Sequence, residues 1–434
     1  MSTGRVRENR CMASPVNPPR GMRDFLPAEK AQRERVLSVI RSTFTGRGFD
    51  EIETPVMEDS DRLHAGLGGD NEKLAFGVLK RGLTTDDLHA ATEALDLADL
   101  GLRFDLTVPL ARFYASHRGE LPIVFRSIQM APVWRAERPQ KGRYRQFIQC
   151  DIDIIGEPGG IAEIELITAT VATLDALGLE GCSIRVNDRR LLTSTLTILG
   201  FPPKEHEPVL ITVDKLDKIG HDGVITELRD RGFPAGPVDA LEAFFRRPTT
   251  LEHLRFGEAA IRKYLPEGVD ETAVAELAAI GETVNAVVGR DIVTFDAWLV
   301  RGMGYYTGAI FEVAHPTESY SLGGGGRYDG MIGRFLGQDV PAAGFSLGFE
   351  RIVDLVELDG DAAHEAVALV HDADVDPAVL LRAQALLVAE GKRVRLEKRP
   401  KNVKPLLEQL EGSGFSAWAP VDADGGVGEW RALG

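Results

Sequence analysis

The segment from Arg145 to Ile155 constrains the fold more than any other, because its side chains alternate between two chemical kinds. One face carries Ile148, Cys150, Ile152 and Ile154, and the other carries Phe147, Gln149, Asp151 and Asp153. A period of two residues predicts a β-strand whose apolar face meets the core. With the strand-like segment Ile123 to Val133 and the polar loop 138–143 between them, it predicts a hairpin with a long charged tip. The opposite face presents an amide and two carboxylates.

The 434 residues predict two or three domains. We expect a flexible N-terminal tail over 1–17 and a main domain over 18–358, interrupted by a mostly helical insertion over 188–291. A strand–helix rhythm over 364–434 predicts a small separate α/β domain. The stretch 65–100 is rich in Gly and Asp and predicts a long surface excursion. No apolar run approaches the roughly 18 residues of a membrane span, so an integral membrane protein is excluded.

The net charge of −16 argues against a surface that coats nucleic acid or anionic membrane without specificity. A local basic stripe nevertheless begins at Lys392. It continues through Arg393, Arg395, Lys398 and Arg399 and contains few acidic residues. It predicts either a docking site for a polyanion or a solvated face. Three scattered cysteines, and no apolar segment behind the N-terminal arginines, predict a cytoplasmic protein. The nine histidines show no metal-ligand spacing, and we assign no metal site.

The hairpin tip is the first candidate site, because Arg135 and Arg143 lie among five cations within eleven residues. Guanidinium groups bind phosphate through paired hydrogen bonds, so this cluster suits a triphosphate. A solvated charged hairpin is the alternative.

Asp105 and Thr107 form the second candidate site. They are two residues apart on a predicted strand, so their side chains would face the same way. The pair either holds an ammonium group or belongs to an ordinary strand.

Two glycine-rich segments are the remaining candidates. Arg301 is followed by glycines and by Tyr305 and Tyr306, between predicted strands 292–300 and 305–313. This pattern is typical of a ligand site with close backbone approach or of a plain hairpin. The stretch 323–330 lacks the spacing of known phosphate loops and predicts a turn. Arg351 falls near the start of a predicted helix, as a phosphate ligand or as a surface cation.

Taken in order, these segments resemble the histidyl-tRNA synthetases, a family of class II aminoacyl-tRNA synthetases. The stretches 48–55, 125–156 and 343–358 are similar to class II motifs 1, 2 and 3. The segments that begin at Arg301 and at Gly325 resemble two signatures of the histidine enzyme. The resemblance implies an α+β fold: an antiparallel sheet flanked by helices, an insertion between motifs 2 and 3, and a shortened C-terminal domain like those that bind the anticodon.

The resemblance also implies the substrates ATP, L-histidine and tRNA(His), Mg²⁺ bound with ATP, and a homodimer with Pro55 near its interface. Arg301 and Arg135 would be catalytic. ATP would be bound by Arg135, Glu137, Arg143 and Arg351. Histidine would be bound by Asp105, Thr107, Arg135, Gln149, Asp153, Arg301, Tyr305 and Tyr306. The tRNA would be bound by Lys392, Arg393, Arg395, Lys398 and Arg399.

Two departures from the family pattern matter: the shortened C-terminal domain and Gly304. Gly304 occupies a position at which the family usually has an acidic residue, so that residue is either dispensable or supplied elsewhere.

The alternative function is a synthetase-like regulatory subunit of ATP phosphoribosyltransferase, a binding protein that does not aminoacylate tRNA. Such a subunit is expected to lose the ATP-site arginines, whereas Arg135, Arg301 and Arg351 are all present here.

Overall fold

The computed structural model describes residues 16–67, 74–140, 142–247, 255–301, 304, 306–358 and 365–433. Most of the predicted tail therefore lies outside the described residues. The chain divides into two compact units. The first contains 39–355 and the chain up to Asp24, and the second contains 25–38 and 356–434. The predicted boundaries at 17, 188, 291, 358 and 364 stay predictions.

The first unit is built on a mostly antiparallel sheet, which is the predicted fold class. Its eight strands, all among the described residues, lie in the order β1-β5-β6-β11-β10-β9-β7-β8. Only the outer pairs β1–β5 and β7–β8 are parallel. The strand bounds are β1 Asp50–Glu51, β5 Phe125–Trp134, β6 Gln146–Ile155, β7 Ser183–Asp188, β8 Val293–Phe295, β9 Ala309–Ala314, β10 Gly323–Arg327 and β11 Ala342–Gly348. A small sheet β2-β4-β3 adds β2 Met57–Asp59, β3 Phe76–Leu79 and β4 Ala98–Leu102.

Most helices of the chain up to α13 bury an apolar stripe, because such a stripe needs a partner surface. Those outside the predicted insertion are α1 Pro27–Thr45, α2 Ser60–Leu67, α3 Thr85–Ala90, α4 Thr107–His117, α5 Ile161–Ala176, α12 Asp329–Leu336 and α13 Phe349–Val353. Those in the predicted insertion are α6 Arg189–Ile198, α7 Pro203–Val213, α8 Leu216–Asp230, α9 Ala235–Phe245, α10 Glu258–Lys263 and α11 Glu271–Val288. α1 is shared between the two units.

The predicted hairpin is confirmed. β5 and β6 pair in register from Phe125 opposite Ile155 to Trp134 opposite Gln146. The apolar face of β6 is fully buried at Cys150, Ile152 and Ile154. Its other face is buried as well, since Gln149 lies within the molecule rather than in solvent.

The expectation of a hairpin around Arg301 is wrong. β8 ends at Phe295 and β9 begins only at Ala309, so both predicted strands are shorter than expected. β7 pairs with β8 on one side and with β9 on the other. Because a third strand lies between them, the chain around Arg301 is a crossing segment and not a hairpin turn.

The stretch 323–330 is also not a turn. Gly323 to Gly326 form most of β10, paired with β9 and β11 in the middle of the sheet. Glycine is usually unfavourable in a strand, and here it marks the close approach of other groups. A Cβ atom at Gly325 would lie 1.9 Å from the carbonyl oxygen of Gly344. The sequence pattern alone could not reveal that these glycines are surrounded.

One further expectation needs correction. Asp105 and Thr107 do not share a strand, because β4 ends at Leu102 and Thr107 begins α4. Asp105 precedes this helix, and its Oδ1 accepts a hydrogen bond of 3.1 Å from the amide of Val108. The stretch 65–100, predicted as a surface excursion with short helical patches, supplies β3, α3 and most of β4 in its described part.

The second unit contains the predicted α/β pattern. β12 Ala366–His371 is paired in parallel with β13 Arg393–Lys398 and with β14 Ala417–Val421. β15 Arg431–Ala432 follows as an antiparallel edge. Its helices are α14 Pro377–Ala389 and α15 Lys404–Gly412. Buried residues such as Leu369 and Ala419 form a core of its own. Among the described residues of the chain, no helix has both the length and the apolar character to cross a membrane.

The buried glycine strand gives the first testable prediction. Gly325→Ala forces a methyl group onto the backbone of β11, which cannot give way as a side-chain tip would. We expect the free energy of unfolding to fall by about 1–3 kcal/mol or more, measured by chemical denaturation. Gly330→Ala is the control, since a Cβ there meets nothing within 4 Å. Equal unfolding midpoints for the two variants would contradict the packing described.

Candidate functional site

A cavity of about 440 Å³ opens above the centre of the large sheet. Its floor is formed by β6, β10 and β11, and its walls by the segments around Asp105, Arg135 and Arg301. Tyr305 lies outside the described residues. The other residues predicted to bind ATP or histidine all line this cavity: Asp105, Thr107, Arg135, Glu137, Arg143, Gln149, Asp153, Arg301, Tyr306 and Arg351.

One end of the cavity is cationic. Burial lowers the pKa of Arg351, and the positive charges of Arg143 and Arg301 lower it further. The guanidinium of Arg351 donates a 2.5 Å hydrogen bond to the carbonyl of Ser321, which orients it. Two guanidinium groups close enough to repel a third favour an anion that binds among them.

Arg301 lies directly above the glycine strand. A Cβ at Gly324 would stand 2.6 Å from its Nη1 and 2.7 Å from its Cζ, so only glycine leaves room for this side chain. Its Nη1 donates to Glu312 on β9 at 2.9 Å. The same carboxylate also accepts from Arg185 on β7. Glu312 therefore holds the guanidinium of Arg301 in place through contacts that the sequence did not indicate.

Arg135 is fixed by two aromatic rings. Its guanidinium carbon lies 4.4 Å from the ring centre of Phe104 and 5.1 Å from that of Phe147. Its Nε donates to the carbonyl of Phe104 at 3.2 Å. A planar guanidinium held against ring faces is pre-oriented for two parallel hydrogen bonds.

Glu137 and Arg143 lie across the hairpin loop from each other. Their charged groups are 3.3 Å apart, with both side chains partly exposed. The backbone pairing of Gln140 with Arg143 closes the loop tip. The loop thus carries Arg143 to the cationic end of the cavity.

The other end of the cavity is acidic and buried. Asp105, Asp151 and Asp153 are each less than 5% exposed. Burial raises the pKa of Asp153 to about 7. The hydrogen bond from the Tyr328 hydroxyl opposes this increase in pKa, and the negative charge of Asp105 adds to it. Burial and the neighbouring Asp153 raise the pKa of Asp151 well above its usual value. Burial also raises the pKa of Asp105. Such a cluster attracts a ligand that brings positive charge or N–H donors.

Two buried acceptor atoms of the described residues that line the cavity lack a hydrogen-bond partner: Asp105 Oδ2 and Gln149 Oε1. The amide nitrogen of Gln149 donates to Ser346 at 2.9 Å, which leaves its oxygen toward the cavity. Buried acceptors without a donor cost free energy, and a ligand can supply the donor.

Tyr328 is a site residue that the sequence analysis missed. It follows the glycine strand and is 2% exposed, and its hydroxyl donates to Asp153 Oδ1 at 2.5 Å. Asp151, Glu312, Phe104 and Phe147 were likewise not assigned a role from the sequence, although all of them line the cavity. The alternation in β6 indicated Asp151, whereas no local signal indicated Glu312.

The basic stripe of the second unit is centred on β13, which is an edge strand of its sheet. Lys392 is 3.3 Å from Glu365, and Arg393 and Arg395 lie over the ring of Phe415. Arg399 is 3.6 Å from Asp372. Lys398 and Arg399 are exposed at the end of the strand.

Comparisons with known proteins agree with one another. The family model described as "Histidyl-tRNA synthetase" matches residues 21–352. A histidine–tRNA ligase of Leifsonia xyli subsp. xyli is 60% identical over 95% of this chain and 97% of its own length. A probable histidine–tRNA ligase of Tropheryma whipplei is 43% identical, with 94% and 96% of the two chains covered.

Solved structures are similar as well. A histidyl-tRNA synthetase from Nostoc sp. PCC 7120 has a TM-score of 0.73 and 25% identity, and the match covers 94% of this chain and 92% of that one. A Bacillus halodurans protein described as an ATP phosphoribosyltransferase regulatory subunit/histidyl-tRNA synthetase also has a TM-score of 0.73. It is 21% identical over 94% of this chain and 98% of that one, which shows a shared fold alone.

The buried acidic end predicts a specific pH dependence of stability. Between the usual aspartate pKa of 3.8 and about 7, folded Asp153 keeps a proton that the unfolded chain has lost. The stability contributed by this group therefore falls as pH rises through that window. We expect Asp153→Asn to raise the melting temperature above wild type by several degrees at about pH 8, and by less at about pH 5.

Thermal unfolding without ligand, followed at both pH values, measures this difference. The control is Asp374→Asn, at an exposed turn of the second unit. If the difference in melting temperature between Asp153→Asn and wild type widens as pH falls, the raised pKa of Asp153 is contradicted.

Proposed function

The chain belongs to the histidyl-tRNA synthetase family, and on that premise we propose that the cavity is where histidine is activated with ATP. The enzyme ligates histidine to tRNA, with histidine, ATP and tRNA as substrates. The regulatory-subunit alternative is not favoured, because the relatives that share most of the chain are named as ligases.

The convergence of Arg143, Arg301 and Arg351 beside buried unpaired acceptors carries this proposal. A triphosphate has the negative charge that suits the three guanidinium groups. An amino acid with an ammonium group and a ring N–H supplies the donors that suit the unpaired acceptors. Both substrates meet where the two ends of the cavity join.

We assign the ATP contacts by position. Arg135 holds the α-phosphate and the histidine carboxylate, Arg143 contacts the phosphates from the hairpin loop, and Arg351 holds the γ-phosphate. Glu137 approaches the adenine. The fixed orientations of Arg135 and Arg351 support these roles, because a preset guanidinium loses little entropy when it binds phosphate.

Arg301 is the main catalytic residue of this proposal. An oxygen of the histidine carboxylate attacks the α-phosphorus, an O–P bond forms, and the bond to the leaving pyrophosphate breaks. Charge on the phosphate oxygens redistributes in the transition state, and a guanidinium already in place stabilises it without reorganisation. The Glu312 carboxylate keeps the guanidinium there. The histidyl group then passes from the adenylate to the 3′ end of the tRNA.

Histidine binds at the acidic end. Asp105, with Thr107 and Gln149, receives the α-ammonium group, and the two unpaired oxygens support this placement. Asp153 and the tyrosines Tyr305 and Tyr306 recognise the imidazole, with Tyr328 holding Asp153. Neutral imidazole offers one donor and one acceptor, so a carboxylate and a hydroxyl can read both. A site built of hydrogen-bonding groups rejects analogues that lack them.

Magnesium enters this proposal together with ATP. No cluster of three or more His, Cys, Asp or Glu side chains that could hold a metal is found in the part of the chain that the structure describes. Mg²⁺ typically uses one or two carboxylates plus substrate phosphates, and Glu350 on the cavity wall would supply one. Bound there, the ion would neutralise charge on the leaving pyrophosphate.

Transfer to tRNA(His) engages the second unit, through Lys392, Arg393, Arg395, Lys398 and Arg399. The exposed end of the edge strand β13 supports a contact with phosphates. We also propose a cytoplasmic homodimer with Pro55 near its interface. The neighbouring Val56 and Met57 are 43% and 45% exposed, which supports a surface that a second copy covers.

Pyrophosphate exchange into ATP tests the function and the role of Arg301 together. With each of the twenty amino acids in turn, we expect exchange with histidine alone. Arg301→Ala should slow this exchange by about 10²–10³, the usual cost of one such donor. Arg229→Ala, at a surface ion pair with Asp239, is the control. Silence of the wild type with all amino acids would refute the function, and near-normal exchange by Arg301→Ala would refute its assigned role.

The second unit gives a separate prediction. Lys398→Glu combined with Arg399→Glu should weaken tRNA binding by about tenfold or more and reduce its salt dependence, since each lost phosphate contact lowers the slope by about one. Pyrophosphate exchange should stay unchanged. Arg246→Glu, at an exposed position of α9's C-terminal end, is the matched control. Unchanged tRNA binding in the double variant would exclude the stripe as a binding surface.

A further inference from the structure

Helix α7 of the helical insertion packs beside the segment that carries Arg301. Its buried residues Val209, Leu210 and Val213 belong to the same apolar cluster as Val300 and Tyr306, which flank that segment. α7 also ends in a fixed place, because the amide of its C-cap Asp214 donates to Leu210 and Thr212. The helix is therefore packed into the same core as the residues that flank Arg301.

The face of α7 toward this segment is acidic. Glu207 and Asp214 are seven residues apart, so they lie on one side of the helix two turns from each other. Asp214 lines the cavity. Burial raises the pKa of its carboxyl group, and the positive charge of Arg301 opposes this increase.

Glu207 meets that segment at Gly304. A Cβ built on Gly304 would have Glu207 Oε1 as its nearest neighbour, at 3.1 Å. The other oxygen of Glu207 pairs with Arg189, and the backbone amide of Arg189 donates to the carbonyl of Gly308 at 2.9 Å. Arg189 therefore holds Gly308 through its backbone, and its ion-pair partner Glu207 lies beside Gly304.

We propose that Glu207 and Asp214 are positioning residues for Arg301, and that Glu207 supplies from α7 the carboxylate for which Gly304 leaves space. This inference rests on the proposed function of Arg301. The guanidinium is held by Glu312 on the sheet side, and Asp214 lines the same cavity on the helix side. The insertion is then part of the machinery that aligns the transition state.

A swap of the carboxylate between two elements tests this. Glu207→Ala should lower kcat for pyrophosphate exchange by about 10- to 100-fold, because a shifted guanidinium loses alignment. KM for histidine should stay within about twofold, since Glu207 contacts no substrate in this scheme. Gly304→Asp alone should also lower kcat, because two carboxylates would then share one space.

The double variant Glu207→Ala with Gly304→Asp should recover kcat to within a few-fold of wild type, since the new carboxylate can pair with Arg189. Gly304 does not have a positive φ, so aspartate suits its backbone. Asp214→Asn should lower kcat in the same way as Glu207→Ala. Asp239→Ala, an ion-paired carboxylate of the same insertion, is the control and should keep wild-type kcat.

Melting temperatures of all variants separate a loss of fold from a loss of position. Unchanged kcat in Glu207→Ala, or losses that add in the double variant, would overturn the inference. Wild-type exchange and the Arg301→Ala rate are measured in the same series. If the wild type is active and Arg301→Ala is slow while Glu207→Ala is normal, only this inference fails and the proposed function stands.

Discussion

The approach of Arg301 to a strand without side chains is the contact on which the site depends. β10 lies between β9 and β11 in the middle of the sheet, where any Cβ at Gly324 would overlap the guanidinium. Tyr328 directly follows the same strand, and its hydroxyl holds Asp153. One stretch of backbone therefore positions both the guanidinium of Arg301 and the carboxyl group of Asp153. Glycine normally weakens a strand, so its use here trades local stability for proximity.

The charges of the cavity are separated by its shape. Guanidinium groups gather at one end and buried carboxylates at the other, and each group of like charges disfavours its own charged state. Such an arrangement costs stability in the free protein. It is offset when a ligand brings phosphates to one end and N–H donors to the other. Because the low-dielectric surroundings are already present, little reorganisation is left for the moment of reaction.

Local signals in the sequence predicted much of this structure, whereas tertiary signals were absent. The alternation over β6 predicted both the strand and its polar face, because a period of two is imposed by the backbone. The element order of the second unit followed for the same reason. The segment at Arg301 was misread because the strand β7, more than a hundred residues earlier, separates β8 from β9. The glycine strand was misread because crowding by neighbours leaves no mark in the local sequence.

The ion pair between Arg301 and Glu312 shows what local reasoning lacks. In the sequence, Glu312 is a single polar residue within an apolar strand. Arg185 lies beside it only because β9 pairs with β7. A carboxylate shared by two arginines is held from both sides, so its freedom to follow a moving guanidinium is small. Arg301 is thereby kept at a set height above β10. The position of Arg301 in this fold therefore arises from strand order rather than from any motif taken alone.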